Sequence, residues 1–133
     1  MFRKFIMLAV VATIAAGCKK EAGEGGTSTI TGKVTVRDYN GSFPFFYETY
    51  PAQDEDVYII YGDATTGYDN RTRTSYDGTY RFDFLRKGDY RIFVYTDDTL
   101  NIFSLAQQPV ISEVQIDKNK TTVEVPEVII VKL

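Results

Sequence analysis

Short runs in which apolar and polar residues alternate constrain this chain more than any other feature of its sequence. In the first run, Ile30, Gly32, Val34 and Val36 alternate with polar residues, as in a strand with one buried face. No segment after residue 28 shows the period of an amphipathic helix. About seven strands are predicted, at 29–37, 57–61, 70–76, 80–84, 90–94, 110–116 and 121–131. Strands this short and this closely spaced predict an all-β chain folded as a β-sandwich.

Turn residues separate the predicted strands. Asp77-Gly78 predicts a two-residue hairpin, because both positions tolerate positive φ. Lys87-Gly88 predicts a second turn, while the Pro- and Gly-containing segment 39–56 and segment 97–109 are interpreted as long connections. Pro126 interrupts the last strand and is expected at an edge or a bulge, because proline cannot donate to a strand ladder.

The first seventeen residues have the order of a secretory signal peptide. Arg3 and Lys4 precede an apolar stretch at Phe5–Ile14, and the small residues 15–17 precede Cys18. The apolar stretch is too short to span a bilayer, which requires about 20 residues. Residues 1–17 are therefore predicted to be removed during export.

The sequence Ala15-Ala16-Gly17-Cys18 resembles the lipobox of bacterial lipoproteins, in which Leu is preferred at the position of Ala15. The resemblance implies a diacylglyceryl group on the Cys18 thiol, cleavage before Cys18 and acylation of the new amino group. An ordinary signal peptide with an incidental cysteine, or a cytosolic N-terminal helix, is the alternative. Lys19 stands where Asp would favour inner-membrane retention, so the resemblance implies the outer membrane. The domain would lie on either the periplasmic or the outer face of that membrane.

The segment that follows Cys18 is rich in glycine, small residues and charges. Residues 18–28 are predicted to form the lipidated cysteine and a flexible tether, since such a composition cannot bury a core. The folded domain is then expected to occupy residues 29–133.

A second resemblance is carried by Thr74-Ser75-Tyr76-Asp77-Gly78-Thr79-Tyr80-Arg81-Phe82 and by the Leu85–Ile92 segment. The two segments look like the signature of carboxypeptidase regulatory-like domains, which are also called transthyretin-like or prealbumin-like. The opening strand at 30–34 is similar too. The resemblance implies a seven-stranded Greek-key β-sandwich and a mostly non-catalytic module attached to peptidases, receptors, adhesins or surface lipoproteins.

Composition argues against several chemistries. The chain of 133 residues contains no His and a single Cys, so a nucleophilic triad or a carboxypeptidase zinc site lacks its usual residues, and no catalytic residue is predicted. A formal charge of −3 without a basic stripe disfavours nucleic acid as a partner. Asp54–Asp56 and Asp97-Asp98 lack a recognised calcium-loop spacing, so neither a metal nor a cofactor is predicted.

The most aromatic segment is Phe43–Tyr50, with five aromatic residues in eight. Phe45, Phe46 and Tyr47 are the candidate binding surface for a protein or glycan. The alternative is that this segment covers an open end of the sandwich or forms an extra strand. The sequence thus predicts a lipid-anchored, non-enzymatic binding module of the outer membrane, with a subunit of a surface fibre or envelope complex as the alternative.

Overall fold

The computed structural model describes residues 21–45, 48–64, 67–100 and 106–133, and in these residues the chain is all-β. They contain no helix that is long and apolar enough to cross a membrane. The nine strands are β1 (Glu24–Asp38), β2 (Glu48–Pro51), β3 (Asp56–Tyr61), β4 (Asn70–Arg73), β5 (Thr79–Leu85), β6 (Gly88–Asp97), β7 (Gln107–Ile116), β8 (Thr122–Glu124) and β9 (Val128–Lys132).

The long strand β1 organises the first sheet. Its first half pairs with β5 and its second half with β2, both antiparallel. On its other side β1 pairs in parallel with β8 and then with β9. The last two strands are separated at Val125–Glu127, so Pro126 lies outside both ladders, in agreement with the predicted interruption.

The second sheet contains four antiparallel strands in the order β4-β3-β6-β7. Its longest ladder joins β6 to β7 from the Gly88–Ile116 pair to the Asp97–Gln107 pair. The two sheets form a sandwich-like arrangement, with the core between them.

Alternation correctly predicted part of that core. Ile30, Val34 and Val36 of β1 are fully buried, and Tyr90, Ile92 and Val94 of β6 are at most 2% exposed. Burial of one large apolar side chain contributes about 1.5–3 kcal/mol to the free energy of unfolding. The remaining large core residues are Val57, Ile59, Tyr80, Phe82, Leu85, Val114, Ile116, Val125, Val128 and Ile130.

The predicted tether is wrong for residues 24–28, which form the beginning of β1. Gly26 lies so close to β5 that a Cβ atom there would come 2.0 Å from the carbonyl oxygen of Leu85. The carbonyl of Gly23 accepts a 2.8 Å hydrogen bond from the Arg86 amide. These glycines permit close backbone approach and do not serve flexibility. Cys18 and the rest of residues 1–20 lie outside the described residues.

The segment predicted as one connection at 39–56 contains the short strand β2, which pairs with β1. Together with the division of the last strand at Pro126, β2 raises the count from about seven strands to nine. Likewise β7 begins at Gln107, inside the second predicted connection, because the ladder with β6 continues through the Tyr95–Pro109 pair.

The predicted hairpin at Asp77-Gly78 is also wrong, although the turn itself exists. The strand before it, β4, pairs with β3, whereas β5 pairs with β1, so the turn carries the chain from one sheet to the other. Thr74 fixes this crossing, because its buried hydroxyl accepts a 2.9 Å hydrogen bond from the Glu55 amide. Gly78 then reaches the first sheet, and its carbonyl accepts a 2.8 Å bond from the Val34 amide.

The Asp77 carboxylate stabilises this turn. It accepts hydrogen bonds from the Ser75 hydroxyl at 2.5 Å, the Thr79 hydroxyl at 2.7 Å and the Thr79 amide at 3.1 Å. These bonds, with that of Ser75 the largest cause, lower the pKa of Asp77 from 3.8 to about 2.

Acidification is therefore expected to weaken the fold through Asp77. Because the folded pKa is the lower one, the contribution of Asp77 is complete above pH 3.8 and is lost as the pH falls to about 2. Denaturant unfolding of the native chain and of Asp77→Asn should differ at pH 5 and converge near pH 2. A difference between the two proteins that stays constant with pH would contradict this assignment.

Candidate functional site

The residues predicted as a binding surface are only partly described. Phe45 lies in the connection between β1 and β2 and is 76% exposed. Phe46 and Tyr47 lie outside the described residues, as does Cys18. At the ends of this segment, Phe43 packs edge-to-face on Tyr39 with ring centroids 5.1 Å apart, and the Tyr50 hydroxyl donates to Asp38. The bond to Asp38 is the main reason that the pKa of Tyr50 is raised.

Within the two acidic segments considered for calcium, Glu55, Asp56 and Asp97 have partners in the domain. Glu55 forms an ion pair with Lys132 at 3.5 Å, and Asp56 forms one with Arg73 at 3.1 Å. Asp97 accepts a 3.0 Å hydrogen bond from the Leu133 amide. Within the described ranges, no group of three or more Cys, Asp or Glu side chains is arranged to hold a metal ion.

A different aromatic cluster lies on the outer surface of the second sheet. Because side chains alternate along a strand, burial of Ile59 in β3 and Val94 in β6 directs their neighbours outward. We call Tyr58, Tyr68, Phe93, Tyr95, Ile111 and Arg71 the aromatic face.

Strand register aligns this face across all four strands. Arg71 on β4 stands opposite Tyr58 on β3, which stands opposite Phe93 on β6, which in turn stands opposite Ile111 on β7. Tyr95 follows Phe93 by two positions and therefore projects from the same side of β6. The sheet thus presents these side chains as one continuous surface.

The aromatic rings contact one another directly. Tyr58 and Phe93 are stacked, with centroids 4.9 Å apart and planes at 12°. Tyr95 meets both rings edge-on, at 5.6 Å in each case, and Tyr68 meets Tyr58 at 4.7 Å. Such contacts contribute about 0.5–1.5 kcal/mol per pair beyond area burial. They fix the rings in place, so the surface is formed before any ligand arrives.

Exposure differs across the cluster. Phe93 is only 8% exposed because the neighbouring rings cover it, whereas Tyr95 is 38%, Tyr68 51% and Ile111 55% exposed. Phe93 therefore supports the cluster, and the tyrosines offer their surfaces to solvent. A contiguous exposed apolar surface of this kind is typical of a binding site.

Polar groups border the aromatic face. Arg71 supplies a guanidinium at one edge, and the hydroxyls of Tyr58, Tyr68 and Tyr95 make no hydrogen bond to another described residue. On the adjoining row, Arg91 stands opposite Glu113 and donates to the Ala64 carbonyl. Aromatic surfaces next to unused hydroxyl and guanidinium groups suit a ligand with an apolar face and hydrogen-bonding edges.

The sequence prediction missed the aromatic face, although its signal was present. A strand with one solvent-exposed face alternates apolar and polar residues, but Ile92–Tyr95 is apolar or aromatic at every position. The run was predicted only as part of a strand at 90–94, and Phe93 and Tyr95 received no role. Aromatic residues at the outward positions of two adjacent strands are the pattern that identifies such a surface.

Comparison with solved structures gives distant likeness only. No protein-family model matches the chain, and no curated protein matches it. One similar solved structure is that of a "putative carbohydrate binding protein" from Pseudomonas aeruginosa, with a TM-score of 0.45 and 12% identity over 84% of this chain and 92% of that chain. At this level of similarity the likeness carries no conclusion about function.

Proposed function

We propose that this chain is a non-enzymatic binding module of the bacterial cell envelope and that the aromatic face binds a glycan. The observation that supports the proposal is the cluster of contacting rings on an outer sheet surface, bordered by Arg71 and by tyrosine hydroxyls that bond to no other described residue. A sugar ring has an apolar C–H surface that packs on an aromatic ring and hydroxyls at its edge that pair with such polar groups.

The proposal includes attachment to the outer membrane by lipid on Cys18, and its support is the signal-like order of residues 1–18. Intact mass of the native protein should show a chain that starts at Cys18 and carries added acyl mass, whereas a Cys18→Ala variant should remain unprocessed.

We also infer a relationship to the carboxypeptidase regulatory-like domains, supported by the Thr74–Phe82 motif and the sandwich-like arrangement.

Removal of two exposed rings should abolish most glycan binding. The variant Tyr68→Ala/Tyr95→Ala is expected to bind a retained polysaccharide about 10- to 100-fold more weakly, since each lost aromatic contact is worth about 1 kcal/mol. Affinity electrophoresis measures this in gels that contain β-glucan, xylan, mannan or dextran, tested one at a time.

Two exposed aromatic residues elsewhere provide matched controls. Tyr76→Ala and Phe45→Ala remove rings that are 81% and 76% exposed but lie away from the aromatic face. Both variants should be retarded by the polysaccharide as strongly as the native protein. Failure of every polysaccharide to retard the native protein would contradict the proposal. Retardation lost in Phe45→Ala and kept in the double variant would instead locate binding at the segment predicted from sequence.

A second candidate function is that of an assembly subunit. The ten-residue strand β7 pairs with β6 on one side only, in the part of the chain that the structure describes. An unpaired edge of this length can accept a strand from another chain. Concentration-dependent self-association in sedimentation velocity, abolished by Ile111→Lys, would favour this candidate over the glycan-binding module.

A further inference from the structure

Phe84 combines a positive φ angle with a highly exposed aromatic side chain. Alternation with the buried residues Tyr80 and Phe82 would place the Phe84 ring in the core, but Phe84 is 72% exposed. An irregularity in the β1–β5 register inserts one extra residue, so Leu85 occupies the inward position and is 2% exposed. Phe84 itself takes φ of +59°, a region that suits glycine and disfavours bulky residues. A large apolar side chain at this exposed and strained position therefore points to a contact outside the domain.

The N-terminal segment enters the domain at the same end. The Gly23 carbonyl is bonded to the Arg86 amide, two residues after Phe84, and Ala22 lies against Gly88. Cys18 precedes Ala22 by four residues, and four residues span at most about 14 Å. A lipid anchor on Cys18 would consequently hold this end of the domain within about that distance of the bilayer surface.

Lysines are concentrated at this end. Lys87 lies in the β5–β6 turn, and Lys118 and Lys120 lie in the β7–β8 turn; all three are exposed. The second turn is joined to the start of β1, because Ser28 donates to the Lys118 carbonyl at 2.8 Å and the Lys120 amide donates to Thr27 at 3.0 Å. An open groove of about 820 Å³ separates the two turns.

The distribution of lysine along the chain strengthens this observation. Of the seven lysines after residue 17, Lys87, Lys118 and Lys120 lie at this end, and Lys19 and Lys20 follow Cys18 directly. The other two are Lys33 and Lys132. The chain as a whole is acidic, so its net charge is repelled by anionic lipid headgroups. Asp89 and Asp117 also line the groove, so attraction at this end depends on the lysines and Phe84 acting together.

We propose that this end of the domain docks on an anionic bilayer surface, with the Phe84 ring entering the headgroup region and Lys87, Lys118 and Lys120 pairing with lipid phosphates. The proposal rests on the lipid anchor of the proposed function and adds an orientation to it. Docking would hold the domain in one fixed orientation on the membrane instead of letting it tumble at the end of a linker.

The absence of Trp from the sequence makes a direct test possible, because a single introduced Trp is the only indole in the protein. Phe84→Trp reports on the proposed contact. Tyr76→Trp is the matched control: it is 81% exposed and precedes β5, whereas Phe84 is near the other end of that strand, about 20 Å away. Each lipidated variant is reconstituted on vesicles of phosphatidylethanolamine and phosphatidylglycerol with brominated acyl chains.

We expect a blue-shifted emission and strong bromine quenching for Phe84→Trp and neither change for Tyr76→Trp. Adding Lys87→Glu and Lys120→Glu to Phe84→Trp should reduce the quenching at least twofold while the protein still floats with the vesicles. A protein that floats but shows equal emission at both positions overturns the docking and leaves the anchor intact. A protein that does not float, with no acyl mass, overturns the anchor and the docking together.

Discussion

Gly78→Ala should lower the free energy of unfolding by about 3 kcal/mol or more, because it combines two separate penalties. Gly78 has φ of +82°, and a left-handed backbone costs a residue with a Cβ about 1–2 kcal/mol. The added Cβ would also lie 2.4 Å from the Val34 carbonyl oxygen, which is backbone and has little freedom to move. That oxygen accepts a hydrogen bond from the Ala52 amide, and the Val34 amide donates to Gly78 itself. Relief of the clash would therefore pull the inter-sheet turn away from β1.

Gly41→Ala separates the two penalties. Gly41 has a similar φ of +74°, but a Cβ there would have no atom within 4 Å. It should cost only the backbone term, about 1–2 kcal/mol. Chemical denaturation of both variants measures the difference, and equal losses would show that the close approach of Gly78 to β1 does not contribute to stability.

The fold was predictable from sequence wherever the determining signal is local. Alternation in β1 and β6 reports directly on burial, since a strand that covers a core must place an apolar residue at every second position. Ile30, Val34 and Val36 were placed on the buried face of the first predicted strand on this basis, and all three are buried. The all-β class and the sandwich-like arrangement follow from the same signal.

Features that depend on a distant partner could not be predicted in this way. Residues 23–26 have the composition of a linker, and only the position of Leu85, about sixty residues later, shows that Gly26 is needed for close backbone approach. Similarly, Asp77-Gly78 specifies a tight turn but not which strands it joins. The choice between a hairpin and a crossing depends on the burial of Thr74 and its bond to Glu55.

The same contrast between local and distant signals applies to the candidate site. A dense run of aromatic residues drew attention to Phe43–Tyr50, but that run is local in sequence and does not show a shared surface. The aromatic face combines residues from four strands, and it is assembled only when the register places Tyr58 between Arg71 and Phe93. Phe84 escaped prediction for a related reason, because the irregularity opposite Ser28 reverses its direction.

Replacement of two buried tyrosines by phenylalanine should have different effects on stability, although the chemical change is the same. Tyr90→Phe is expected to lower the free energy of unfolding by about 1–3 kcal/mol, since it leaves buried backbone groups without partners. The Tyr90 hydroxyl accepts a 2.9 Å bond from the Gly23 amide and donates a 2.5 Å bond to the Arg86 carbonyl. The loss should be concentrated where the N-terminal segment meets the β5–β6 turn, and amide hydrogen exchange at Gly23 should rise more than at Val94.

Tyr80→Phe provides the matched comparison. The Tyr80 hydroxyl is buried above Gly32 and has no hydrogen-bond partner among the described residues. Burial raises the pKa of Tyr80 to about 12, as expected for a phenol removed from water. Deletion of an unpartnered buried hydroxyl removes a desolvation cost, so stability should stay equal or increase by about 1 kcal/mol. Denaturant midpoints of the two variants decide the point. If Tyr80→Phe lost as much stability as Tyr90→Phe, this prediction would be wrong. The Tyr80 hydroxyl would then have a hydrogen-bond partner in solution, and that bond would account for the position of the hydroxyl over Gly32.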